Sequence, residues 1–160
     1  MSNLAAFSVP PVVKTVVVKC APARAFRAFT AEAARWWPIA THSLRGLGKT
    51  AVACVFEEGV GGRVYQRAED GSEVDWGRIL EWDPPRRFAF TWLVNVPPEQ
   101  AQHIAIEFTA VAEGTEVRLT HSGWEKLGEV AAAEARRAAY DQGWATVFEQ
   151  CFRGYADKAM

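Results

Sequence analysis

The spacing of apolar and polar positions changes three times along this chain, and each change marks a new kind of element. Residues 12–19 (VVKTVVVK) are a β-branched run suited to a strand. From Ala21-Pro22 the spacing turns helical. Ala25, Phe26 and Phe29 share a face, and a proline at the first helical position is preorganised for a helix start. Thr30 is placed to cap a second short helix with Glu32 in its first turn. That helix should stop by Trp37, because Pro38 disfavours helical geometry in the residue before it. Residues 38–50 contain Pro38, Gly46 and Gly48 and read as loop. Period-two alternation then predicts six strands, over 51–57, 63–67, 73–82, 87–93, 102–111 and 116–122. Gly59-Val60-Gly61-Gly62, Asp70-Gly71, Pro84-Pro85 and Glu113-Gly114 supply turns between them. Gly77 interrupts the third of these strands and marks a bulge or a close backbone approach.

The helical period returns over residues 134–157. Tyr140, Trp144, Val147, Phe148, Cys151, Phe152 and Tyr155 fall on one face, and Asp141, Gln142, Glu149, Gln150, Arg153 and Asp157 on the other. Each large side chain of that stripe gains roughly 1.5–3 kcal/mol on full burial, so the stripe must be covered. The strands are the cover. Their order (strand, two short helices, six strands, long helix) implies an α+β fold whose antiparallel sheet buries one face against the terminal helix. We expect one domain over residues 1–160, with 1–10 as a loose lead-in.

Composition narrows the function classes. A net charge of −1 creates no global attraction for nucleic acid or an anionic membrane surface. No apolar run approaches the roughly 20 residues of a membrane span, and no signal peptide is evident. Cys20, Cys54 and Cys151 have no C-x-x-C spacing and sit in apolar surroundings, which predicts reduced, buried thiols and a cytosolic protein.

Several strings carry a family resemblance. They are Ala21-Pro22, Trp36-Trp37-Pro38, Glu58-Gly59-Val60-Gly61-Gly62-Arg63, Trp76-Gly77-Arg78-Ile79-Leu80-Glu81-Trp82-Asp83-Pro84-Pro85, Phe90-Thr91-Trp92, Glu113-Gly114-Thr115-Glu116-Val117, His121-Ser122-Gly123-Trp124 and Gly143-Trp144. Together they span nearly the whole chain. The sequence resembles the START-like (SRPBCC) superfamily, in the branch of the Hsp-ninety ATPase activator homologues (AHSA-type). The resemblance implies a helix-grip fold, a curved antiparallel sheet around a long C-terminal helix. It implies a stand-alone ligand-binding protein, with a chaperone-regulating module and a cyclase or hydratase as alternatives.

The aromatic set is the main candidate for chemistry. We expect a cavity for a small hydrophobic or aromatic ligand between helix and sheet, lined by Trp76, Phe90, Trp92, His121, Trp144 and Phe148, with Trp36 and Trp37 near its entrance. The alternative is that these rings fill the core. His121 shares its parity with Val117 and Leu119 and should point inward, either to a ligand or as a hydrogen-bonded core histidine. His103 has solvent-facing parity, and His42 lies in the loop after Pro38. Among carboxylates, Glu107 should face solvent, while Asp75 is ambiguous because a bulge at Gly77 would switch the parity. Arg63 and Arg78 are candidate anchors for a ligand carboxylate or plain surface charges. Gly143 reads as a packing glycine that lets the helix approach the sheet. No histidine pair has metal-ligand spacing and no phosphate-binding motif is complete, so no metal and no cofactor are expected. The partner is then a small molecule or a chaperone, met as a monomer or homodimer.

Overall fold

The computed structural model describes residues 8–42 and 51–158. The described chain forms β1 (Val12–Val18), α1 (Pro22–Phe29), β2 (Ala51–Phe56), β3 (Arg63–Ala68), β4 (Glu73–Asp83), β5 (Arg87–Trp92), β6 (Gln102–Val111), β7 (Gly114–Ser122) and a C-terminal helix in three parts. The seven strands make one sheet in the order β1-β7-β6-β5-β4-β3-β2, every neighbouring pair antiparallel. The sheet curls around the C-terminal helix, giving the α+β helix-grip fold that the element order implies. Alternation puts Phe88, Phe90 and Trp92 of β5, Ile104, Ile106 and Phe108 of β6, and Val117, Leu119 and His121 of β7 on the buried face.

Gly77 is both a bulge and a close approach. Val64 pairs with Gly77 but Tyr65 with Asp75, so Trp76 is the extra residue of β4. A Cβ on Gly77 would stand 1.7 Å from the Thr91 carbonyl oxygen of β5. The bulge resolves the parity of its neighbours. Trp76 turns inward and is 1% exposed. Asp75 turns outward and holds Arg63 at 2.8 Å.

Two helices differ from their predicted extents. Among the described residues no second α-helix stands between α1 and Pro38. Residues Ala33–Arg35 make a single 3-10 turn. Thr30 ends α1 instead of starting a helix, its hydroxyl donating back to the Phe26 carbonyl at 2.8 Å. Glu32, rather than facing a helix terminus, accepts both Arg24 nitrogens (2.9 and 3.1 Å) and the Tyr155 hydroxyl (2.6 Å). The span before Pro38 is too short for a stable second helix once its two polar groups find partners elsewhere. Of the predicted loop 38–50, residues 43–50 lie outside the described residues, as does most of the lead-in.

The terminal helix starts earlier than expected and changes pitch. It runs as α2 (Val130–Trp144), a π-helical stretch (Ala145–Phe152) and α3 (Arg153–Asp157). The predicted stripe survives the change: Trp144, Val147, Phe148 and Phe152 are buried, and Tyr140, Cys151 and Tyr155 are half-buried. All three cysteines are free, and burial pushes the Cys54 thiol up to about 12. Among the described residues no helix is long and apolar enough to cross a membrane.

Candidate functional site

A cavity of about 460 Å³ opens beside the junction of α2 and the π-helical stretch. Its size falls within the range of small-molecule pockets, roughly 300–1,000 Å³. The bulge of β4 delivers Trp76 to it, the end of β5 delivers Trp92, the segment before Pro38 delivers Trp37, and the last turn of α2 delivers Tyr140 and Trp144. The four tryptophans form a closed circuit: Trp37 to Trp76 at 5.2 Å, Trp76 to Trp92 at 5.4 Å, Trp92 to Trp144 at 6.1 Å and Trp144 back to Trp37 at 5.8 Å between ring centroids. None is more than 6% exposed, so they are a floor set below the rim. The rim is polar, with His42, Asn95, Gln142 and Thr146.

Every floor indole is tethered through its N–H. Trp37 donates to the His42 carbonyl at 2.7 Å, and Trp76 donates to Gln66 Oε1 at 2.9 Å. Trp92 donates to the Tyr140 hydroxyl at 2.8 Å, and Trp144 donates to His121 Nδ1 at 3.0 Å. A buried indole needs such a partner, and the partner then fixes the plane of the ring.

His121 lies behind the floor instead of in it. It is fully buried, with its ring 4.3 Å from that of Trp124. Because Nδ1 accepts from Trp144, the proton sits on Nε2 and is donated to Gln102 Oε1 at 3.2 Å. Burial, with a smaller contribution from His103, lowers its pKa to about 3, so the ring is neutral near pH 7. Its role here is to orient Trp144, which corrects its expected place in the lining. Tyr140 is half-buried at the wall. Burial raises its phenol pKa, against the opposing hydrogen bond from Trp92, and keeps it protonated. Its oxygen accepts the Trp92 N–H, and among the described residues its own proton has no acceptor.

Three further expected lining residues lie elsewhere. Phe90 and Phe148 are fully buried in the packed core. Trp36 is not near the entrance. It packs on Phe29 and Phe152 at 5.1 and 5.2 Å and donates to the Ala28 carbonyl. Strand and helix periodicity gives the buried face but not which part of that face is left open, so it does not separate these rings from the cavity lining. Trp37, Trp76, Trp92 and Trp144 do line it.

Gly143 also differs from expectation. A Cβ there would meet nothing within 4 Å, so this glycine does not serve close packing, and it lines the cavity. His103 is half-buried, Glu107 pairs with Arg87 at 3.0 Å, and Arg63 is held by Asp75 and Glu73 on the outer sheet surface. Sequence reasoning missed Tyr140, Asn95 and Gln142 as lining groups. The spacing of Tyr140 one turn before Trp144 was a usable signal. Asn95, with φ of 63° in a loop, had none.

The comparisons agree with the fold. The family model described as activator of Hsp90 ATPase homolog 1-like protein matches residues 19–153. The solved anthrahydroquino-γ-pyrone synthase Txn09, complexed with SUM, is 37% identical, with 84% of this chain and 88% of that one covered and a TM-score of 0.55. A protein from Mesorhizobium loti shares the fold at 19% identity, covering 94% and 99% of the two chains, with a TM-score of 0.66. An AHSA1-like protein from Aeromonas hydrophila does so at 17% identity, covering 93% of each chain, with a TM-score of 0.63. No curated protein sequence matches the chain.

Proposed function

The chain belongs to the family of activator of Hsp90 ATPase homolog 1-like proteins, and from that premise we propose that it binds a planar, oxygen-bearing aromatic small molecule in the tryptophan-floored cavity. The observation that carries the reading is the Tyr140 hydroxyl. It is a neutral phenol at the cavity wall whose oxygen already accepts from Trp92 and whose proton is left to donate. The floor indoles have no N–H to offer, so they favour a flat hydrophobic surface. Tyr140 favours one carbonyl or phenol oxygen at its edge.

The test uses anthraquinone-2-sulfonate as probe and titration calorimetry as readout. Micromolar binding to the wild type, weakened about tenfold by Tyr140→Phe, is the expected result, since a tenfold loss is about 1.4 kcal/mol and within the range of one hydrogen bond. Absence of binding to the folded wild type rejects the reading.

A second reading, cyclisation of the bound molecule, is favoured by the likeness to Txn09, a γ-pyrone synthase by its printed description. A γ-pyrone closes when a phenol or enol oxygen adds to a ketone carbon and the former carbonyl oxygen leaves as water. A hydrogen bond from Tyr140 to that oxygen polarises the carbonyl. His42, which lines the cavity with Nδ1 against Thr41 Oγ1 at 2.8 Å, is a candidate to take the nucleophile's proton. Incubation with a 2-hydroxyphenyl 1,3-diketone, followed by mass spectrometry for loss of water, checks this reading. Conversion no faster than in buffer leaves binding alone.

A further inference from the structure

Gly143 stands in the middle of a continuous helical run, between Tyr140 and Trp144 at the cavity. Glycine in a helix interior is unfavourable relative to alanine, because it has more backbone freedom to lose. A glycine there usually has one of three reasons, and none applies. It does not adopt the left-handed conformation. It does not make room for a neighbour, since an added Cβ meets nothing within 4 Å among the described residues. It does not end the helix, which continues without a break into Ala145–Phe152.

What the missing side chain does leave bare is helix backbone facing the cavity. We infer that Gly143 is a specificity-determining position, the seat against which the edge of a flat ligand rests on the helix backbone while its oxygen meets Tyr140, one turn away. This rests on the cavity-binding reading above and deepens it by saying which dimension of the ligand is selected: width across the floor, between Gly143 and Trp76. A side chain at 143 would narrow the cavity from the helix side. A glycine kept for a ligand opposes helix stability, so stability and binding should move in opposite directions when it is replaced.

The experiment measures the melting temperature and anthraquinone-2-sulfonate affinity of Gly143→Ala, Gly143→Leu and a control, Gly154→Ala. Gly154 is likewise open around its Cβ and lies in α3, away from the cavity lining. Both alanine variants should melt roughly 2–4 °C higher than the wild type. Affinity should fall a few-fold in Gly143→Ala, at least tenfold in Gly143→Leu, and not at all in Gly154→Ala. If the wild type binds the probe and the Gly143 variants bind it equally well, the inference is overturned and the cavity reading stands. If Gly143→Ala melts lower than the wild type while Gly154→Ala melts higher, Gly143 serves the change of helical pitch and the inference is overturned. A wild type that takes up no probe overturns the cavity reading and this inference with it.

Discussion

The two ends of the helix–sheet interface use aromatic rings in opposite ways. At one end Phe29 of α1 meets Trp36, Phe56, Phe88, Phe148 and Phe152 at centroid distances of 5.0 to 6.3 Å. Apart from Trp36 these rings carry no polar atom. They are free to tilt until they interlock, and they fill the space. At the other end each ring of the floor is an indole held by its N–H, and beside it lies a cavity of about 460 Å³. A hydrogen bond is directional, so a tethered ring cannot swing over to close a void without losing it. Phenylalanine fills the grip, and tethered tryptophan borders its open part.

The sharpest way to break this contrast is at the filled end. Phe29→Ala should cost about 4 kcal/mol of unfolding free energy, within the range for truncating a buried phenylalanine. Urea denaturation checks it, and a loss under 1 kcal/mol would mean that this end is not close-packed. Next comes the tether behind the floor. His121→Ala leaves the Trp144 N–H and Gln102 Oε1 without their partner, which should cost about 3 kcal/mol. It should also weaken probe binding, because Trp144 loses its fixed plane. Unchanged binding in the folded variant would separate ring orientation from the cavity.

Acid probes the same tether more gently. The folded His121 pKa is depressed from 6.5 to about 3, so the unfolded chain takes up the proton first as pH falls. The stabilisation is fully present above pH 6.5 and is lost as pH falls from there towards 3, by roughly 1 kcal/mol per pH unit. Between pH 6.5 and 5, before most carboxylates titrate, this slope should be present in the wild type and reduced in His121→Ala. The smallest effect is expected at the clamp of the filled end. Glu32→Gln weakens the links to Tyr155 and Arg24 and should cost about 1 kcal/mol or less, given its partial exposure. The Tyr155 hydroxyl, then Arg24, lowers the Glu32 pKa. Its contribution is therefore present above the ordinary carboxylate range and lost as pH falls through it. Probe affinity should not change, since the clamp and the cavity lie at opposite ends.

The contrast also explains what could be read without coordinates. Periodicity alone places Trp144, Phe148, Phe90 and His121 on buried faces, and all four are buried. It does not say which buried rings surround space, because that depends on where the helix sits along the curl of the sheet. Thus Trp144 borders the cavity while Phe148, one turn later on the same stripe, is enclosed. The bulge at Gly77 was legible from a glycine inside an alternating run, although its consequence for Asp75 needed the register. The π-helical stretch was not legible, since its hydrophobic stripe satisfies the α period equally well. Glu32 was misplaced because its partner, Tyr155, lies on the far side of the sequence.

The strand order has a consequence in time. β1 lies at one edge of the sheet, and among the described residues β7 is its sole neighbouring strand. Val12 pairs with His121, roughly a hundred residues later. During synthesis the first strand therefore leaves the ribosome without a partner and waits for nearly the whole chain, and the helix that caps the core comes later still. Such distant pairing is entropically costly to nucleate and places the chain among slow folders, on the scale of milliseconds to seconds. A truncation before β7 leaves an unpaired valine-rich edge, the kind of surface on which unfinished chains find one another.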